Sequence, residues 1–442
     1  MRRLVIVFLV GIGLLGKGAE LCAAEKEKRN YHEFEIWHKL LEYEISPDGE
    51  WGMWRIQYAM GKDSLHICHL RSGKEYRYAS ASMAEFAANS RWVAFSKPGN
   101  HGASSGIAYQ TCLLDLTSGV EKIFNGAESF SFTKDSHYLL LKGRAKTTME
   151  LNLYHLEKKF TKTIANLHSC VLDPAHQYLA CLCERSGNSG SHLEIVNLSD
   201  FSTIFPKMEQ AEYEKLKWDS WGLTLVKVCS DSIAVHPGGD IRVLQNIKGK
   251  LHYNSLLEDM KDGLPENMEV SKFYSPHWSA DGKILFFSLI PKRQMGAIPQ
   301  KEALDIWHWK DREIQSRQKN RYYANRAKGF LCAWWPEEKR WKQIADSTFS
   351  EVAAIAPNGD YVLVVDEKPY QPHYREPRRD WYLVHTATGQ RTLLLENTIL
   401  SAFFSREGKY VYYFKDKNWW AYHVARGKLI NLTGQLSVEW SD

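Results

Sequence analysis

A serine between glycines is the first place where this chain could do covalent chemistry. Gly102, Ala103, Ser104, Ser105 and Gly106 fit G-x-S-x-G, with His101 adjacent. Serine becomes a nucleophile when a histidine base takes its proton, a carboxylate orients that base, and backbone N–H groups face the oxyanion. The motif works on a sharp turn from a parallel-sheet strand into a helix. Here it lies between AFSKPGN and IAYQTCLLDL, two stretches that read as strands with no helix between them. It is therefore read as a flexible Gly/Ser loop, and no catalytic residue is assigned.

Metal chemistry would need three or four converging ligands. His66 and Cys68 alternate onto one face of the strand LHICHL, but no CxxC or HExxH accompanies them. The reading is a packed or hydrogen-bonded histidine, with no metal and no cofactor expected. Lys310 to Lys328 holds seven Lys or Arg against two acids, with Tyr322 and Tyr323 among them. Charge of this sort on an exported chain reads as a solvated extension or docking surface, and nucleic acid is not expected as a partner. A tighter cluster, Asp366, Glu367, His373, Arg375, Arg378 and Arg379, follows the apolar run YVLVV in a loop that contains prolines. Binding function concentrates in loops on a rigid scaffold, so these six residues are the candidate binding site.

The elements that position these groups come from a repeated phrase. WSADGKILFF from Trp278 has an Asp-Gly turn between apolar runs, which signals strand, turn, strand. ISPDGEW from Ile45, IAPNGDYVLVV from Ile355 and FSREGKYVYYF from Phe404 repeat it clearly. FAANSRWVAF, FTKDSHYLLL, LDPAHQYLAC and WDSWGLTLVK repeat it weakly. The serine-equivalent positions are 46, 87, 133, 173, 219, 279, 356 and 405, and the first five stand 40 to 46 residues apart. Short strands and fixed turns at this period predict an all-β β-propeller of four-stranded blades. Eight blades are expected, or seven if the Trp218 copy is only a strand pair.

One domain is expected over residues 25–442. Hydrophobic residues make up 44% of the chain and aromatics 13%, which suits sheets packed face to face and argues against disorder. The net charge of +5 predicts no particular partner. Residues 1–24 read as a secretory signal peptide, with Arg2 and Arg3, an apolar run from Leu4 to Leu15, and Ala23-Ala24 at the cleavage site. That run is too short to span a bilayer, and no transmembrane segment is expected. Ala19-Glu20-Leu21 fits poorly before an acylated cysteine, so Cys22 is not read as a lipoprotein site and the mature chain is expected in the periplasm or outside the cell. The other seven cysteines are odd in number and scattered, and read as small buried hydrophobes without a disulfide framework. Residues 262–275, DGLPENMEVSKFYS, read as a surface loop.

The stretch ALDIWHWKDREIQSRQKNRYYANRAKGFLCAWW from Ala303 is more specific. With EKPY at Glu367, TGQRTLLLE at Thr388 and NWWAYHVARGKLINLT at Asn418, it resembles the amino-terminal propeller of exported bacterial members of the prolyl oligopeptidase family of serine peptidases. The resemblance runs from about Trp37 to Gly434 and is strongest after Gly263. It implies a propeller that screens an active site and admits peptides to an α/β-hydrolase domain carrying a Ser-Asp-His triad. The sequence ends at Asp442, soon after the eighth repeat, and on this reading the positions that carry the family's chemistry have no counterparts to be mapped onto. The expectation is a non-catalytic propeller that binds peptides or docks a partner, including a hydrolase domain on another chain. Two alternatives stand beside it: a truncated or split serine peptidase, and an envelope scaffold similar to the Tol-associated propellers.

Overall fold

The computed structural model describes residues 38–58, 63–99, 109–145, 148–184, 191–206, 212–228, 239–247, 250–261, 263–271, 273–292, 308, 311, 313–320, 328–347, 349, 351–372 and 376–436. The signal segment, Gly102–Gly106 with His101, Lys310, Tyr322, Tyr323, His373 and Arg375 lie outside them.

The marker serine of the repeated phrase is a hydrogen-bonding device. Ser46 Oγ donates to Asp48 at 2.6 Å and accepts from the Trp51 N–H at 2.9 Å, while Asp48 accepts from the Glu50 N–H at 3.0 Å. Three groups of a tight turn are thereby satisfied, and the register of the two flanking strands is set. Thr133 with Asp135, and Ser279 with Asp281, repeat the arrangement. The fourth residue of the turn has a positive φ in seven copies: Gly49, Ser90, Ser136, His176, Gly282, Gly359 and Gly408. The Trp218 copy is shorter, with Asp219 opposite Gly222 across a two-residue turn.

Each phrase joins the first strand of a sheet to the second, and two more antiparallel strands complete it. The Trp218 copy also heads a full sheet, Glu212–Asp219, Gly222–Val228, Asp240–Ile247 and Lys250–Ser255. Thr161–Leu172 is one long strand whose first half ends the third blade and whose second half begins the fourth. Among the described residues there are eight up-and-down blades, and the fold is the all-β β-propeller class.

Contacts cluster into two compact units, Met1–Ala165 and Asn166–Asp442. Within the first, the core lies between consecutive blades. Trp51, Met53, Leu65 and Ile67 of blade one bury against Phe86, Phe95, Cys112 and Leu114 of blade two. Blades two and three share a second cluster around Trp92, Phe132, Leu139 and Tyr154. In the second unit the same pattern joins blades four and five, five and six, six and seven, and seven and eight. A blade is apolar on both faces, so neighbours must cover it.

The region after blade five differs from the expected surface loop. A helical turn, Leu256–Asp259, is capped by Ser255, and Met268–Val270 pairs with Leu285–Pro291 as the first strand of blade six. Leu256, Met260 and Val270 are buried in the cluster of Trp334 and Phe287, with Leu264 and Met268 packed against it. Apolar residues at every fourth position, 256 to 268, carry this segment inward despite its acidic residues. Of the segment from Ala303 to Trp335, Gln315–Asn320 is an exposed helix and Phe330–Trp335 is a central strand of blade six, with Cys332 and Trp334 wholly buried.

Candidate functional site

The predicted loop begins where the strand Tyr361–Asp366 ends. Asp366 accepts the Lys368 N–H at 3.0 Å and starts a 3-10 turn, Lys368–Tyr370, followed by a cis Gln371–Pro372 bond. The chain then returns as the strand Arg379–His385. Glu367 pairs with Arg379 at 3.0 Å, and Arg378 donates to the Asn397 carbonyl at 2.9 Å. Beneath them Asp380 accepts from the Tyr370 hydroxyl at 2.5 Å and from the Asn397 N–H at 2.8 Å. Burial first, then Asp380, pushes the Tyr370 phenol up to about 12, so it stays a donor. Asp366, Glu367, Arg378 and Arg379 thus bond within blade seven, and one Arg379 nitrogen, Nε, is buried without a hydrogen-bond partner.

One end of this loop adjoins a groove of about 420 Å³. One wall is Val352–Ile355 of the strand Glu351–Ile355, which among the described residues ends its sheet and pairs with Tyr361–Asp366 alone. Glu351 lies opposite Val365, which sets the loop at the groove's Glu351 end. The other wall carries Phe273, Tyr274, Ser288 and Lys328, with Phe273 exposed and Lys328 3.9 Å from Glu351. Two lysines of blade five fix that wall, Lys215 by donating to the Tyr274 carbonyl and Lys217 to that of Pro276, each at 3.2 Å. Burial raises the Tyr274 phenol, and its hydroxyl meets His277 Nδ1 at 3.3 Å. An unpaired strand edge beside aromatic side chains can hold an extended peptide backbone. Sequence reasoning missed the groove because its walls come from separate blades, and only the exposed aromatic Phe273 signals it.

His66 and Cys68 do share a strand face, but the histidine has its own partners. His66 stacks on Trp54 at 5.5 Å, and its ring nitrogens meet Ser64 at 2.8 Å and Glu75 at 2.7 Å. Arg77 and then His66 hold the Glu75 carboxyl down at about 2. This is the hydrogen-bonded histidine expected above.

A different set of ligand types converges in blade four. Cys183 lies directly opposite His192 across the hairpin of Tyr178–Glu184 and Ser191–Asn197, and Glu194 is two residues further on the same face. One ligand atom from each lies within 4.8 Å of the other two. Burial, then Glu194 and Cys170, push the Cys183 thiol up to about 12. Cys181-x-Cys183 and His192-x-Glu194 are i, i+2 pairs on adjacent strands, a signal legible once the hairpin is drawn. None of the six described cysteines is in a disulfide.

No helix among the described residues is long and apolar enough to cross a membrane. No family model and no curated protein matches the chain. Among solved structures, the propeller domain of the Trilobed protease from Pyrococcus furiosus is 11% identical, with a TM-score of 0.33 over 82% of this chain and 99% of that one. A eukaryotic initiation factor is also 11% identical, with a TM-score of 0.42 over 94% and 92%. Dipeptidyl peptidase 4 of Porphyromonas gingivalis is 9% identical, with a TM-score of 0.39 over 94% of this chain and 63% of its own length. Prolyl endopeptidases and an acylaminoacyl peptidase also occur among these structural neighbours.

Proposed function

We propose that this chain is an exported propeller that binds extended peptides and does not itself cleave them. The observation that carries this reading is the groove between blades six and seven, lined by Val352–Ile355, of a strand that ends its sheet, and by Phe273 and Tyr274. Backbone N–H and C=O groups on a strand edge pair with any extended chain, and the aromatic wall adds contact area with little loss of side-chain freedom. Lys328 at the Glu351 end supplies a cation for an acidic group or a terminal carboxylate, next to the Asp366 to Arg379 loop. Gating of peptides toward a hydrolase domain, in this chain or another, is the role that the likeness to prolyl oligopeptidase propellers adds. Export rests on the basic and apolar pattern of residues 1–24.

Ala353 is exposed on the groove strand, so Ala353→Trp fills the groove and leaves the core intact. Fluorescence anisotropy with labelled proline-containing peptides should show binding that this variant weakens about tenfold or more, a loss of at least ~1.4 kcal/mol. A fluorophosphonate probe should leave Ser104 unlabelled. Equal peptide affinity in the variant would remove the groove from the proposal, and turnover abolished by Ser104→Ala would replace binding with catalysis.

A further inference from the structure

Blade four holds a set of side chains that neither the peptide groove nor the core requires. Cys183, His192 and Glu194 belong to three chemical types, thiol, imidazole and carboxylate, and they meet on one face of one hairpin. Two of them are already in contact, His192 Nε2 with Glu194 at 2.8 Å. The other ring nitrogen, His192 Nδ1, is buried and has no hydrogen-bond partner. A buried imidazole nitrogen without a partner costs free energy, and a bound ion is one of the few things that explains it.

We propose that Cys183, His192 and Glu194 form a three-ligand site for a zinc-type divalent ion. The donor set selects the ion. Thiolate and imidazole favour zinc and its neighbours, whereas magnesium and calcium take oxygen ligands alone. The spacing fits as well. Ligands about 2.0 to 2.3 Å from one tetrahedral ion stand roughly 3.5 Å apart, and these atoms, within 4.8 Å of one another, reach that shell by small rotations.

The same triad could be imagined as a nucleophile, its base and an orienting acid. Cys183 is only 2% exposed, in an interior strand of its sheet, so a peptide carbonyl cannot approach its sulfur. An ion can, because the His192 and Glu194 side chains are each about a quarter exposed and open the site to solvent. On binding, the S–H bond of Cys183 breaks, its proton leaves to solvent, and the thiolate electron pair forms the bond to the ion. His192 and Glu194 give lone pairs without further proton transfer if the imidazole is neutral and the carboxyl ionised. The fourth position is left for water or a ligand group. This departs from the expectation of no metal drawn from the sequence, which looked for CxxC and HExxH and not for a pair of i, i+2 motifs on neighbouring strands.

The test uses the full chain titrated with cobalt(II), whose thiolate complexes show a charge-transfer band, together with zinc(II) in competition with a chromophoric chelator. The expected result is one ion per chain with the band present, and its loss in Cys183→Ser. His192→Gln and Glu194→Gln should weaken binding by more than about 100-fold, beyond the range for outer-shell partners. Both residues are part-exposed, so these variants should keep the wild-type circular dichroism even if Cys183→Ser does not. Cys68→Ser should bind as wild type. A titration without the band, a band that survives Cys183→Ser, or a His192→Gln chain that binds as tightly as wild type would overturn the assignment.

Discussion

In the first unit the left-handed position of two phrase turns is held by serine, Ser90 at φ 59° and Ser136 at φ 55°, whereas in the second unit Gly282, Gly359 and Gly408 hold it. A side chain in that conformation costs about 1 kcal/mol or more. The serines offset the cost by an interblade bond. Asp48 donates its N–H to Ser90 Oγ at 3.0 Å, and Asn89 donates to Ser136 Oγ at 2.9 Å, so each turn is tied to the next. Glycine could not accept either bond. At Gly282 and Gly359 of the second unit the turns approach too closely for any side chain, whereas the fourth-blade turn of that unit takes His176 at φ 56°. A Cβ on Gly282 would overlap the Trp221 indole of the preceding turn, and one on Gly359 would meet Ile284 at 2.9 Å and Ser279 at 3.0 Å. The phrase is kept in both units because neighbouring turns must touch. Polar contact permits serine, and steric contact requires glycine.

The largest effect should follow from closing the second kind of contact. Gly282→Ala adds left-handed strain and displaces the Trp221 ring, and should destabilise the protein by about 3 kcal/mol in urea unfolding. In a Trp221→Ala background the same change should cost only the strain, about 1 kcal/mol. Equal costs in the two backgrounds would mean that the indole contact does not set the requirement for glycine.

The first kind of contact predicts a smaller effect with an unusual order. Ser90→Ala keeps the strain and leaves the Asp48 N–H without its acceptor, and should cost about 1 kcal/mol. Ser90→Gly loses the same bond but relieves the strain, so it should fall close to wild type. Alanine is normally the milder replacement, and a milder alanine here would break the account.

This comparison also explains what the sequence could show. Eight blades were legible because Ser46, Thr133 and Ser279 are fixed by turn chemistry that any copy must solve locally. The copies at 87 and 133 looked degraded because serine had replaced glycine, and the partner that explains it belongs to another blade. The groove stayed hidden for the same reason, since Phe273 and Val352 are brought together only by blade stacking. Cys183 and His192 escaped because cross-strand register, and not spacing along the chain, makes them neighbours. Of the predicted binding loop, Asp366, Glu367, Arg378 and Arg379 were legible as a cluster. Their mutual pairing required the return strand and Asn397.

The smallest effect concerns the turn carboxylates, and its sign separates the short Asp219 turn from the longer turns of Asp48 and Asp281. Burial pushes the Asp48 carboxyl up, but the Ser46 hydroxyl, the Glu50 N–H and their neighbours outweigh it and hold it below its ordinary value. For Asp219, in the short turn, burial wins over the Trp221 N–H and Lys217, and the carboxyl is raised. A lowered folded value means that ionised Asp48 stabilises the fold above the unfolded value near 3.8, and that this contribution is lost as pH falls through the folded value. A raised value means the reverse: ionised Asp219 opposes folding at neutral pH, and the opposition disappears as pH falls and the group takes up its proton. Asparagine can keep the hydrogen bonds to Glu50 and Trp221 while removing the charge. Asp48→Asn should therefore lower stability at pH 7 and Asp219→Asn should raise it, each by less than about 1 kcal/mol after solvent screening. Both differences should shrink as pH falls, that of Asp219 once pH drops below the unfolded value near 3.8 and that of Asp48 only as pH passes its lower folded value. Urea midpoints measured across that range test the signs, and two variants shifting in the same direction would remove burial as the distinction between the turns.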